Sequence, residues 1–282
     1  ASEFRYRDPF VDENTLLILV SQSGETADSR QVLVKVNALG HPSLTVTNVP
    51  GSTLSREATH TMLIGAGPEI SVASTKAYTG QIATLAFLAK AVGDADQNPK
   101  SLAFDLVKEI SLVAQSIEST LSEKELISDV VAKLLPEARN AFYIGRKQDY
   151  FVSMEASLKL KEISYIQCEG FAAGELKHGT ISLIEDGTLV VALATGKNLF
   201  DKTVSNVKEV KARGAVVMGV TTEEHEHMDD VADYTVKIPA THEMLLPSLT
   251  VIPLQLFGYY VASLKGCDID KPRNLAKSVT VE

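Results

Sequence analysis

The sequence predicts an α/β protein in which helices cover both faces of parallel sheets. Short runs of β-branched and aliphatic residues alternate with longer amphipathic segments. Two of these segments stop at a glycine, Gly40 and Gly214, and the two halves of the chain repeat the same order of strand, turn, helix, glycine and strand. This alternation is the pattern of a doubly wound parallel sheet.

The predicted strands are apolar on both faces, as strands covered from both sides are. They fall at 16–20, 43–47, 140–145, 189–193 and 215–220. The helices between them are predicted at 28–39, 151–165 and 203–213. Gly40 and Gly214 stand just past two of these helices, where a left-handed backbone is needed.

The repeat also predicts the domain organisation. The strand–turn–helix segment of the first half aligns without a gap on that of the second half, with Ser21 on Thr195 and Gly40 on Gly214. We expect a first domain at 1–101, a helical connection at 102–137, and a second domain with a C-terminal tail at 138–282. The first domain has no counterpart of strand 140–145 and helix 151–165, so we expect it to lack its first strand and helix, as the C-terminal portion of a longer protein would.

Composition excludes several classes of protein. The 282 residues carry a formal net charge of −9, which argues against binding nucleic acid through its phosphates. Residues 245–264 have no charge, but their prolines and polar residues favour a buried helix over a membrane span. Cys168 and Cys267 show no metal-ligand spacing and are predicted to be reduced, buried thiols of a cytoplasmic protein.

The segment SQSGET, residues 21–26, is a candidate anion site. It follows a buried strand and opens a helix, where free backbone N–H groups and the helix dipole favour an anion. Ser21, Ser23 and Thr26 add hydroxyl donors, and Gln22 adds an amide. A plain helix cap needs only one such side chain. The aligned turn of the second half, TGKN, lacks most of these donors, so we place the anion site in the first half only.

Two further segments carry candidate groups. EISVASTK, residues 69–76, is either a second ligand loop or only a helix cap. In the second half, Lys159 and Glu162 share a helix face, and His178 follows in the loop GELKHG. A carboxylate, a cation and a histidine are what aldose–ketose isomerisation needs, although an ordinary surface ion pair explains the first two equally well. His225 and His227 alternate with acids, which fits an exposed polar loop better than a metal site.

Six ordered motifs now point to a known family. SQSGETADS, NVPGSTLSREA, EISVASTKAYT, MEASLKLKEISYI, EGFAAGELKHG and DKPRNLAKSVTVE together closely resemble the bacterial glutamine–fructose-6-phosphate aminotransferases (isomerising) over essentially the whole chain. The resemblance implies two sugar-isomerase (SIS) domains. Each is a three-layer α/β/α sandwich with a flavodoxin-like parallel sheet, the first being truncated at its N-terminus.

The resemblance also implies roles for particular residues. Ser21, Gln22, Ser23 and Thr26 would bind the sugar phosphate, and Val72 and Ser74 would line the sugar site. Glu162 would move the proton between C1 and C2 with support from Lys159. His178 would assist ring opening from the neighbouring subunit of a homodimer. Lys277 would form an imine with the substrate.

The implied reaction converts fructose 6-phosphate and ammonia to glucosamine 6-phosphate, without metal or organic cofactor. The family's full-length chain also has a glutaminase domain, which this sequence does not include. Two other functions stay open: a non-catalytic SIS module that senses a sugar phosphate, and a related isomerase or deglycase acting on another amino-sugar phosphate. Glu162, His178 and Lys277 favour the enzyme over the sensor, and the ending LAKSVTVE favours the aminotransferase over its relatives.

Overall fold

A computed structural model describes residues 1–7, 11–134 and 140–280. The chain divides into two compact units. The first comprises Ala1–Phe104 and Asn274–Glu282, and the second comprises Asp105–Arg273. The C-terminal tail is therefore grouped with the first unit, and the two helices that follow Phe104 with the second. The domain borders expected from the sequence stay a prediction.

The first unit contains a parallel three-stranded sheet in the order β1-β2-β3. The elements are β1 (Leu17–Ser21), α1 (Ala27–Ala38), β2 (Ser43–Thr47), α2 (Thr53–Glu57), β3 (His60–Leu63), α3 (Lys76–Ala95) and α4 (Pro99–Leu102).

Burial in this unit is uneven. Every residue of β2 is buried, and Leu19 of β1 packs with Leu33 of α1 and Leu54 of α2. The other face of β1 differs from the prediction of a strand buried on both sides, because Ile18 and Val20 are 42% and 43% exposed. The apolar run predicted the strand correctly but not how much of it is covered.

The second unit contains a parallel five-stranded sheet in the order β5-β4-β6-β7-β8. This is the strand order of flavodoxin-like folds. The elements are α5 (Leu106–Ser122), α6 (Lys124–Leu134), β4 (Asn140–Gly145), α7 (Gln148–Ser164), β5 (Gln167–Ala172), β6 (Leu189–Ala194), α8 (Phe200–Lys211), β7 (Val216–Thr222), β8 (Tyr234–Ile238) and α9 (Leu246–Leu264).

Helices cover this second sheet on both faces. The connections from β4 to β5 and from β6 to β7 run in opposite directions along the sheet, so right-handed crossovers place α7 and α8 on opposite faces. Val207 and Val210 of α8 pack on strand residues such as Val190, all fully buried. On α9, Leu249 packs on Ile238 of β8. The predicted fold class is confirmed.

Several local predictions can be compared directly with these elements. Strand 43–47 is reproduced residue for residue, and Gly40 and Gly214 have φ values of +79° and +88°. The uncharged segment forms α9, and none of the described helices is long and apolar enough to cross a membrane. Cys168 is a free, buried thiol as expected, whereas Cys267 is free but only half-buried, because it follows the last turn of α9 at the surface.

Candidate functional site

The predicted phosphate loop runs from the end of β1 into α1. Two of its hydroxyl groups accept backbone N–H groups: Ser21 Oγ from Gly24 at 3.1 Å, and Ser23 Oγ from Glu25 at 3.2 Å. Ser21 Oγ also lies 3.1 Å from Thr26 Oγ1. A hydroxyl that accepts such a bond keeps its own proton, so the loop retains O–H donors beside the N-terminus of α1.

Gly24 is required by the shape of this loop. Its φ is +68°, and a Cβ at this position would lie 2.1 Å from Ser52 Oγ. No larger residue fits there without moving the chain. The carbonyl oxygen of Gln22 accepts a bond from the Asn48 backbone N–H at 3.1 Å, which fixes the loop against the end of β2.

Glu25 ties the same loop to α2. Its carboxylate accepts the Thr53 backbone N–H at 2.8 Å and the Thr53 hydroxyl at 2.7 Å, and so caps the first turn of that helix. These two hydrogen bonds, the side-chain one first, lower the pKa of Glu25 below its usual value. Sequence reasoning missed this role because the acid lies 28 residues from the helix that it caps.

The C-terminal tail returns to the first unit and brings Lys277 against the segment at 69–76. The Lys277 ammonium donates to the Ser71 carbonyl oxygen at 2.7 Å and to Ser74 Oγ at 3.3 Å, and lies 3.5 Å from the Val72 carbonyl oxygen. Two residues along, the Val279 carbonyl accepts the N–H of Ala27 at the start of α1. The tail thus contacts the segment at 69–76 and the first residue of α1, directly after the loop at 21–26.

Glu69 is a further residue that the sequence did not single out. Its side chain is only 3% exposed. One carboxylate oxygen accepts the backbone N–H of Thr75 at 2.6 Å and of Ala77 at 3.4 Å, which caps α3. The other oxygen, Oε2, lies 3.7 Å from Lys277 Nζ. A buried carboxylate therefore holds the turn in place and faces the ammonium group.

In the second unit, Lys159 and Glu162 lie on one face of α7, as the spacing predicts. Lys159 Nζ is 2.7 Å from Glu162 Oε2 and 3.6 Å from Glu155 Oε1. The lysine side chain is 8% exposed, so this is not the ordinary surface pair that sequence alone allowed. The short contact lacks hydrogen-bond geometry, and Glu162 Oε2 has no hydrogen-bond partner among the described residues.

His178 lies on an exposed turn. It ends a short 3-10 segment, Leu176–His178, and is followed by Gly179, whose φ of +138° suits glycine. No hydrogen bond or ion pair within the described part of the chain joins the His178 side chain to Lys159 or Glu162. The structure thus brings together three groups of predicted residues, around the phosphate loop, around Lys277 and around Lys159, and leaves His178 exposed.

The turn after β6 differs from the predicted phosphate loop of the first unit in what its backbone N–H groups bind. Its backbone N–H groups at Thr195 and Gly196 donate to the carboxylate of Asp149, at 2.9 Å and 3.4 Å, and the Thr195 hydroxyl bonds to the same group. Burial raises the pKa of Asp149, although the bonds from Thr195 oppose that effect. An internal carboxylate thus occupies the donors that a phosphate would need.

The histidines at 225 and 227 do not form a metal site. His225 stacks on Phe200 with ring centroids 4.1 Å apart, and burial lowers its pKa. His227 pairs with Asp230 at 3.1 Å on the surface. Across residues 1–7, 11–134 and 140–280, no group of three potential ligands is arranged to hold a metal ion.

These features define a protein with parallel α/β sheets and a polar loop at the carboxyl end of a strand, the usual place of a ligand site in this class. The family model for the SIS domain matches residues 1–91 and 134–265, and the chain belongs to the SIS domain family.

Several known proteins resemble the chain over its whole length. It is 66% identical to the glutamine–fructose-6-phosphate aminotransferase (isomerizing) of Lactococcus lactis subsp. lactis, and 64% identical to that of Streptococcus pneumoniae strain R6. Each match covers 100% of this chain but 46% of the relative, so the chain spans about half the length of these curated proteins.

Solved structures agree with these matches. The C-terminal domain of glucosamine-fructose-6-phosphate aminotransferase from Francisella tularensis has a TM-score of 0.90 and 35% identity, over 96% of this chain and 77% of that one. A glucosamine-6-phosphate deaminase from Thermotoga maritima, at 23% identity and a TM-score of 0.81, over 99% and 79%, shares the fold. The resemblance to the isomerase half of the aminotransferases is confirmed.

Proposed function

We propose that the chain carries out the isomerase half-reaction of glucosamine 6-phosphate synthesis, in which fructose 6-phosphate and ammonia give glucosamine 6-phosphate and water. The proposal rests on the family, on the curated relatives of this name, and above all on the place of Lys277. Its amine contacts Ser71, Val72 and Ser74, and the last two are the residues expected to line the sugar site.

Each group has a defined task in this reaction. The amine of Lys277, once it has lost a proton, adds to the C2 carbonyl of the open-chain sugar and releases water to form an imine. Ammonia then displaces the lysine and leaves its nitrogen on C2. Glu162 removes a proton from C1 and returns it to C2, while the proton of the C1 hydroxyl group passes to the nitrogen on C2, and the 2-imino sugar becomes the 2-amino aldose.

The remaining groups bind and assist. Ser21, Gln22, Ser23 and Thr26 hold the phosphate at the start of α1. Lys159 stabilises the charge that develops during proton transfer, and the ammonium lies 2.7 Å from Glu162. His178 helps to open the sugar ring. In the full-length enzyme, a glutaminase domain supplies the ammonia.

Two other functions compete with this one. A sugar-phosphate sensor needs the loop at 21–26, but it does not need a buried lysine such as Lys159 beside the carboxylate of Glu162. A deglycase uses the same groups but releases ammonia from an amino-sugar phosphate. The 66% identity with an aminotransferase favours the synthase over both.

One assay separates the three functions. The chain is incubated with fructose 6-phosphate and ammonium chloride, and products are followed by mass spectrometry. We expect glucosamine 6-phosphate from this mixture and glucose 6-phosphate when ammonia is omitted. Binding without any turnover would support the sensor, and release of ammonia from glucosamine 6-phosphate without the forward reaction would support the deglycase.

We further propose that the active form is a homodimer in which His178 acts on the neighbouring subunit's substrate. Glu162→Gln and His178→Asn, each inactive alone, are mixed and allowed to exchange subunits. If His178 acts in trans, each mixed dimer has one intact site, and roughly a quarter of wild-type activity returns. If His178 acts within its own subunit, the mixture stays inactive.

A further inference from the structure

The second unit contains a cavity that none of the predicted site residues lines. It has a volume of about 270 Å³ and lies at the carboxyl ends of β4, β6 and β7, where Gln148, Thr195 and Thr222 contribute to its wall. β4 and β6 are neighbours whose connections leave in opposite directions. Doubly wound sheets bind ligands at such a switch point.

Two hydroxyl groups in the cavity wall make no hydrogen bond with the part of the chain that the structure describes. Thr222 is 4% exposed, and its Oγ1 makes no hydrogen bond with any described residue. Oγ1 of Thr241, on the segment before α9, is buried and unbonded as well. Buried hydroxyl groups in folded proteins are nearly always hydrogen-bonded. This pair therefore points to a bound molecule that forms hydrogen bonds with both of them.

The charges around the cavity argue against an anion and against a cation. The most buried charged residue of the wall is Asp149, 6% exposed, whose carboxylate already accepts the N–H groups of Thr195 and Gly196 and would repel a phosphate. The rest of the wall carries both signs, with Arg146, Lys147 and Lys197 against Glu224 and Glu243, so the whole wall has three residues of each sign. A neutral polar ligand fits this balance.

The volume of the cavity limits the size of the ligand. Pockets for small molecules usually measure ~300–1,000 Å³, and this cavity is close to the lower bound. We propose that it binds a small uncharged polyhydroxylated molecule of about monosaccharide size, whose hydroxyl groups bond to Thr222 and Thr241. The proposal does not depend on the function proposed above, because the two sets of residues do not overlap.

The test uses the backbone amide signals of the isotope-labelled chain. D-glucose, myo-inositol and inorganic phosphate are titrated separately, and the shifts of Gly196 and Thr222 are followed by NMR. We expect at least one of the two polyols to move both signals, and phosphate to leave them in place. Phosphate shifts at Ser23 and Gly24 report on the first unit instead, so failure of one proposal is distinguishable from failure of the other.

Two valine variants, one of them a control, test the role of the Thr222 hydroxyl group in polyol binding. Thr222→Val removes only the unbonded oxygen, so it should leave the melting temperature unchanged or raised and weaken polyol binding by about tenfold. Thr188→Val is the control, since the hydroxyl it removes accepts the Glu185 N–H at 3.0 Å. That variant should be less stable and bind the polyol normally.

Three results would overturn the proposal. They are the absence of any shift with either polyol, a shift of Gly196 and Thr222 with phosphate, and unchanged polyol affinity in Thr222→Val. In the first case the two hydroxyl groups are satisfied by water alone.

Discussion

The carboxylate of Glu69 faces the ammonium of Lys277 at 3.7 Å while its other oxygen caps α3 through the N–H of Thr75. The two functions can be separated by substitution. Glu69→Gln keeps an oxygen for the N–H group and removes the charge, whereas Glu69→Ala removes both. An opposite charge favours the ammonium form of lysine, which cannot attack a carbonyl.

We therefore expect Glu69→Gln to form the substrate imine faster than the wild type, with similar stability. Glu69→Ala should lose about 1 kcal/mol of stability with the cap. Imine formation is measured by the rate of reductive trapping with fructose 6-phosphate, and stability by urea unfolding. Identical rates of imine formation in Glu69→Gln and the wild type would mean that Glu69 acts only as a helix cap.

If Glu162 moves the proton as proposed, Glu162→Gln should lower isomerisation of fructose 6-phosphate by about 10²–10⁴-fold. Binding of the sugar phosphate should be retained. Glu155→Gln is the matched control, since Glu155 lies on the same helix and contacts the same lysine at 3.6 Å. Equal losses in the two variants would mean that the carboxylates only hold Lys159.

Glu25 should make stability depend on pH in the acid range. Because the Thr53 hydrogen bonds lower its pKa in the folded state, Glu25 stabilises the fold above its ordinary value of 4.5, and this contribution is lost as the pH falls through the folded-state pKa. Glu25→Gln should flatten the fall in melting temperature below about pH 4.5, whereas Glu226→Gln, at an exposed position, should not. Parallel curves for wild type and Glu25→Gln would count against this role.

Cys168 should be unreactive until the protein unfolds. Burial, above all, raises the pKa of its thiol to about 12, and the sulfur donates to the Ser157 carbonyl at 3.0 Å. Only about one thiol in 10⁴ is then ionised at pH 8, and the thiolate is the reactive form. Iodoacetamide followed by peptide mapping should label Cys267 first. Rapid labelling of Cys168 in the native protein would contradict its burial.

The fold was predictable where burial is complete and less so at the sheet edges, where β1 was predicted but β3, β5 and β8 were not. β2 and β6 are buried at every residue, so their apolar runs showed in the sequence. β3 and β5 lie at sheet edges, and β3 has no fully buried residue. Because polar residues or glycine interrupt both strands, at His60 and Thr61 in β3 and at Gln167, Glu169 and Gly170 in β5, no apolar run indicated them.

Some parts of the candidate site could be predicted from local sequence patterns and others could not. The loop at 21–26 and the Lys159–Glu162 pair follow from local rules, since helix starts and helix faces are set by short spacings. The contact between Lys277 and Ser74 joins residues 203 positions apart. Only the resemblance to a family linked them, because no local rule predicts where a tail returns. The roles of Glu69 and Asp149 were not predicted, because their hydrogen-bond partners lie in loops whose path the sequence does not specify.

The most direct test of the proposed function is the chemistry of Lys277. The chain is treated with fructose 6-phosphate and sodium cyanoborohydride, and the modified peptide is identified by mass spectrometry. We predict a sugar-phosphate adduct on Lys277 that is absent in Lys277→Ala and retained in the control Lys271→Ala, a change at an exposed lysine. An adduct confined to another lysine, or full turnover by Lys277→Ala, would contradict the central claim.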